Sequence, residues 1–199
     1  MIDFTETIHP QAEMLPLERK ALYDSVVLNR PKVILEVGTG CGGGGTYFMS
    51  RALKDNNIDC ILYTCDPMRG PDQSFLSMFP FVNYRSEYST NLISELIEKG
   101  ITPDFLFFDG PESPEVALND LKALETVIKE GTILCIHDYE LSRRGYDKAF
   151  STKSKLIRPY LESSNSWDEV LTYSGTTKNS DYNDDEFDSV GFAILKYKP

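Results

Sequence analysis

Two carboxylates stand at the ends of two short apolar runs. Asp104-Phe105-Leu106-Phe107-Phe108-Asp109-Gly110 and Thr132-Ile133-Leu134-Cys135-Ile136-His137-Asp138-Tyr139 each read as a strand buried on both faces. Ligands of open α/β sheets collect outside the carboxyl ends of the strands. Asp109 and Asp138 therefore belong to one sheet edge, on neighbouring strands. Two carboxylates held close together are costly unless a proton or cation lies between them, so such a pair suits base work or cation binding. Glu112 and His137 flank the pair and widen the set of groups able to take a proton or a metal. The plain alternative for His137 is a packed residue at a strand end.

A second cluster lies upstream, in Val33-Ile34-Leu35-Glu36-Val37-Gly38-Thr39-Gly40-Cys41-Gly42-Gly43-Gly44-Gly45-Thr46, with six glycines in eight residues. A β-branched strand runs into a glycine turn, and Tyr47 to Leu53 follows with helical spacing. Glycines let the backbone adopt positive φ and approach a ligand closely, and the N–H groups opening the helix can meet polar ligand atoms. A tight turn without a ligand is the plain alternative. Glu36 near the turn suits a cationic or amino-bearing ligand better than a pyrophosphate. The next strand, Ile61 to Cys65, ends in Asp66-Pro67, and an acid there is placed for ribose hydroxyls.

Glu36-x-Gly38-x-Gly40 resembles motif I of the class I S-adenosylmethionine (SAM)-dependent methyltransferases. The pairing of strand–Asp109-Gly110 with strand–His137-Asp138-Tyr139 is similar to small-molecule O-methyltransferases related to macrocin O-methyltransferase. The resemblance runs from residue 33 to 139. It implies that Glu36, Gly38, Thr39, Gly40, Gly42, Thr46, Asp66, Pro67 and Asp109 hold SAM, with Tyr88 and Ser89 at the adenine. It implies catalytic work for Asp109, Glu112, His137 and Asp138, and a magnesium ion on Asp109 and Asp138. Where that group often carries His and Tyr after the first strand, this chain has Glu112 and Pro114, so a histidine base there does not transfer. Pro111 stands where a third acid is common. The implied reaction is methyl transfer to oxygen or nitrogen of a small molecule. Rival readings are a SAM-fold enzyme without methyl transfer, such as an aminopropyl transferase or lyase, and a non-catalytic SAM-binding protein.

The remaining chain must position these groups. Leu15 to Leu28 reads as an amphipathic helix packed over the sheet; the resemblance implies that it can also cover the substrate mouth, with His9 and Glu13 before it as conceivable substrate contacts. Further helices are expected at Asn91–Glu98, capped by Ser89, at about Pro114–Lys129, and at Tyr146 to about Ser163. Glu140 to Gly145, with Arg143 and Arg144, reads as a loop over the site. Trp167–Tyr173 and Val190–Tyr197 are strands joined without a helix, hence a hairpin. The expected fold is α/β and Rossmann-like: seven mostly parallel strands, helices on both faces and a C-terminal antiparallel hairpin. Residues 1–199 form one domain on this reading, with 1–30 an N-terminal helical cap segment and 174–189 an acidic loop.

The 199 residues suffice for one substantial core. A net charge of −11 argues against nucleic acid and anionic membrane as partners. Met1 to Glu6 lacks the pattern of a secretory leader. Four cysteines without metal-binding spacing read as reduced core residues of a cytoplasmic protein. A small-molecule partner follows, and a homodimer stays open.

Overall fold

The computed structural model describes residues 2–5, 14–110, 113–139, 154–178 and 187–199. Seven strands form one sheet: β1 (Val33–Val37), β2 (Ile61–Cys65), β3 (Val82–Arg85), β4 (Phe105–Phe108), β5 (Ile133–His137), β6 (Trp167–Lys178) and β7 (Phe187–Tyr197). Their order is β3-β2-β1-β4-β5-β7-β6. The pairs from β3 through β5 are parallel, and β7 enters antiparallel between β5 and β6. This is the expected sheet with its terminal hairpin.

Helices α1 (Pro16–Asn29) and α2 (Gly45–Asp55) cover one face of the sheet. Helices α4 (Ser89–Glu98), α5 (Pro114–Glu125) and α6 (Ser154–Ser163) cover the other, while α3 (Gln73–Met78) lies after β2. The alternation of strand side chains builds both cores. Phe105 and Phe107 pack with Leu22, Val26 and Met49, whereas Leu106 and Phe108 pack with Leu92, Leu121 and Ile157. All four β4 side chains have no exposed surface, which explains the unbroken apolar run.

Four boundaries differ from expectation. Tyr88, not Ser89, is the N-cap of α4, and Ser89 is its first residue. Helix α5 stops at Glu125, where Thr126 turns its hydroxyl back onto the Ala123 carbonyl and short-range backbone bonds tighten the last turn. Helix α3 goes unmarked in the sequence because a six-residue helix shows too little periodicity. The hairpin strands take in 174–178 and 187–189 of the expected acidic loop. Polar composition conceals such strands, because ladder hydrogen bonds join backbone to backbone. The rest of that loop, the expected loop at 140–145 and the expected start of the last helix at Tyr146 fall outside the described residues.

Candidate functional site

The strand order reverses between β1 and β4, and there the exits of three strands are tied together. The Val37 carbonyl accepts from Asp109 N at 2.8 Å and Gly110 N at 2.9 Å. The Cys65 carbonyl accepts from Gly38 N at 3.0 Å and Thr39 N at 3.2 Å. Gly38 sits at φ +96°, and a Cβ on it would stand 2.7 Å from Gly110 N. Only glycine fits this crossing of two loops.

A cavity of about 520 Å³ opens over these exits, within the range of small-ligand sites. Gly38, Thr39 and Gly40 line it from the glycine loop, Asp66 and Pro67 from the end of β2. Tyr88 and Ser89 line it from the start of α4, and Asp109, His137 and Asp138 from β4 and β5. One Asp66 oxygen accepts from Gly40 N at 2.9 Å; the other accepts from Met68 N at 2.8 Å and Arg69 N at 2.9 Å. Asp66 thus clasps the glycine loop to the loop after β2.

Glu36, Thr46 and Gly42 do not line this cavity. Glu36 is 1% exposed and lies beneath the glycine loop, not at its mouth. Its Oε2 accepts from Thr46 Oγ1 at 2.7 Å and Thr64 Oγ1 at 2.6 Å. Burial pushes its carboxyl up to about 8, against the opposing pull of those two hydroxyls. Glu36 and Thr46 brace the loop from below. A Cβ on Gly42 would stand 3.0 Å from Pro71, so this glycine faces the loop after β2. Sequence spacing places these residues near the loop but cannot say which side of it they occupy.

His137 is the centre of the acidic end of the cavity. It is 4% exposed. Its Nδ1 lies 2.9 Å from Asp109 Oδ1 and 3.4 Å from Asp138 Oδ1, and its Nε2 lies 3.3 Å from Glu18 Oε2. Neither nitrogen has a partner in line for a hydrogen bond. Burial alone would pull the imidazole down, but Asp109 foremost, with Asp138 and Glu18, holds it well above its ordinary value. Asp138 adopts φ +55°, an uncommon conformation outside glycine, and its carbonyl accepts from the Ser154 hydroxyl at 2.5 Å.

Two site neighbours go unmarked in the sequence. Glu18 has no exposed surface, and its Oε2 also accepts from Leu15 N at 2.7 Å at the start of α1. The available signal is its spacing of four and eight from the buried Leu22 and Val26, which puts a carboxylate on an apolar stripe. Asp120 of α5 is 2% exposed, and burial pushes it up to about 6 despite a hydrogen bond from Ser89. Glu112, Pro111, His9, Glu13, Arg143 and Arg144 fall outside the described residues.

A family profile described as a methyltransferase domain matches residues 35–139, more than half the chain. The chain belongs to this methyltransferase family. No curated protein matches it. Among solved structures, it is similar to the O-methyltransferase TomG from Streptomyces achromogenes in complex with SAM. The TM-score is 0.66 and the identity 16%, over 96% of this chain and 83% of that one. It is also similar to an O-methyltransferase from Bacillus cereus in complex with SAH. There the TM-score is 0.67 and the identity 17%, over 95% of this chain and 84% of that one. These likenesses confirm the class I fold of the methyltransferase. Its cavity occupies the switch point between β1 and β4, and no helix among its described residues is long and apolar enough to cross a membrane.

Proposed function

We propose that the methyltransferase holds SAM in this cavity and transfers its methyl group to an oxygen of a small molecule. The observation that carries the reading is the convergence of the glycine loop, Asp66 and Asp109 on one cavity at the switch point. When bound, SAM supplies a methyl group on a sulfonium, open to in-line displacement. The backbone of Gly38 and Gly40 meets the amino-acid end of the cofactor. Asp66, already rigid through its backbone bonds, accepts from ribose hydroxyls. Tyr88 and Ser89 edge the adenine, and Asp109 faces the cationic end. Asp138 and His137 hold and move the acceptor's proton, which a hydroxyl nucleophile must lose. Glu112 is a further base by its place in the sequence. The 1–30 segment caps the site, as Met14 on the cavity wall and Glu18 against His137 support.

The residues also suit a divalent cation. Asp109, His137 and Asp138 bring ligand atoms within 4.8 Å of one another, and His137 offers a buried nitrogen with no in-line partner. Asp109 and Asp138 would hold a magnesium ion, which would acidify an acceptor hydroxyl. The acidic balance and free cysteines fit a cytoplasmic enzyme acting on a small molecule.

Calorimetry with SAM and SAH tests the reading, followed by mass spectrometry for methylated products in a metabolite pool. Heat with both ligands and a product 14 Da heavier than its precursor (about the mass of one CH₂, as methyl replaces hydrogen) are expected. Binding of NAD with no heat from SAM or SAH would overturn it. Release of methylthioadenosine without a methylated product would assign a different SAM chemistry.

A further inference from the structure

We propose that Glu36 is a positioning residue for the cofactor's ammonium group. It acts through Thr64 and Thr39, and it gives up a proton to solvent when that cation enters the cavity. The inference rests on the reading of the cavity as the SAM site, and it names the side chain that receives the ammonium.

A chain of hydroxyls joins the cavity to Glu36. Thr39 lines the cavity and is 5% exposed. Its Oγ1 lies 2.5 Å from Thr64 Oγ1, and Thr64 Oγ1 donates to Glu36 Oε2 at 2.6 Å. A hydroxyl has one proton and two lone pairs. Thr64 commits its proton to Glu36, so it accepts from Thr39. Thr39 commits its own proton to Thr64 and keeps only lone pairs for the cavity. An ammonium, which only donates, matches such a group, and a carboxylate does not. Hydrogen bonds aligned in this way polarise one another, so a cation held at Thr39 is felt at Glu36.

The far end of the chain lacks a positive charge. Glu36 is 1% exposed, and its Oε1 has no hydrogen-bond partner. The ionisable groups that face it bring no cation: Asp109 and Asp66 are acids, and burial holds the Cys65 thiol neutral. A buried carboxyl without a cation keeps its proton, in line with its rise to about 8. Oε1 is left to carry that proton without disturbing the two bonds at Oε2. An ammonium on Thr39 supplies the missing charge and favours the carboxylate. The proton then leaves for solvent, while the ammonium arrives already charged. By linkage, a ligand that releases a proton binds more tightly as pH rises.

The test is calorimetry of SAH binding to the full chain at pH 7, in buffers of different ionisation heat, which counts the protons released. Wild type should release roughly half a proton or more, and its affinity should rise about three- to tenfold from pH 6 to pH 7. Glu36→Gln should bind SAH without that release. Thr39→Val, which cuts the chain, should lose at least half of it. An SAH analogue lacking the α-amino group should release none from wild type. Proton uptake by the ligand's own amine has the opposite sign, and it cancels between wild type and variant. A residue that merely braces the loop would change affinity and leave the proton count alone. Should the variants fail to fold, SAH and its analogue on wild type still decide. No release from wild type, or the same release from Glu36→Gln, from Thr39→Val or with the analogue, overturns this inference and leaves the cavity reading intact. Failure of SAH itself to bind overturns the cavity reading.

Discussion

Nε2 of His137 lies 3.3 Å from Oε2 of Glu18, so a helix that precedes the first strand touches the acidic cluster where the fourth and fifth strands end. The contact joins residues 119 positions apart in sequence, the difference between 137 and 18. It sets a buried carboxylate behind the His137 wall of the cavity, and no motif announces it.

Asp66→Ala should weaken SAM and SAH binding at least tenfold, since a hydrogen bond to a charged acceptor contributes roughly 1.5–3 kcal/mol. Gly40 N also loses its acceptor in this variant, so the glycine loop loosens. Calorimetry checks it. Unchanged affinity would place the ribose elsewhere.

Gly45 and Gly44 both line the cavity, but only a Cβ at Gly45 meets the core, so the two alanine variants should differ in stability. A Cβ at Gly45 would stand 2.1 Å from the Phe107 ring, so this variant should lose about 1–3 kcal/mol of stability through overpacking. Gly44 lines the cavity, and a Cβ there meets nothing within 4 Å. Gly44→Ala should melt near the wild-type temperature but bind SAH more weakly. Equal SAH affinity in the two folded proteins would move the ligand off this wall.

Glu36→Gln should alter the pH dependence of stability. The folded protein keeps the Glu36 proton up to about 8, above the ordinary value of 4.5, so it binds more protons than the unfolded chain between those limits. Stability therefore falls as pH rises through that window, by about 1.4 kcal/mol per unit at most, and levels off above it. The His137 contribution also declines with rising pH, but it is common to both proteins and cancels in their difference. Gln retains an acceptor for Thr46 and Thr64, so the variant should match wild type near pH 5 and exceed it near pH 9, by a few kcal/mol at most. Parallel melting curves across that range would contradict a buried, protonated Glu36.

Asp138→Asn should lower kcat roughly 100-fold or more, the usual scale for loss of a positioned acid–base group. Asp138 lines the cavity beside His137, at the end of it away from Asp66, so SAH affinity should change little. Steady-state kinetics and calorimetry on one preparation check the split. A variant that loses SAH binding and keeps kcat would reverse the roles.

The sequence by itself determined the class of the fold and the sheet edge over which the cavity opens. Apolar runs ended by Gly38, Asp66, Asp109 and Asp138 are local patterns, and strand burial and strand ends follow directly from them. The terminal hairpin was legible too, since no helix separates its strands. Only the tertiary structure decided which side of the glycine loop each polar residue faces. Glu36 and Thr46 go beneath it because the loop crosses above their strand and helix, while Asp66 reaches its upper surface. The partners of His137 were equally invisible, because α1 is placed by packing Leu22 and Val26 on the sheet, and that docking, a long-range event, carries Glu18 in with it.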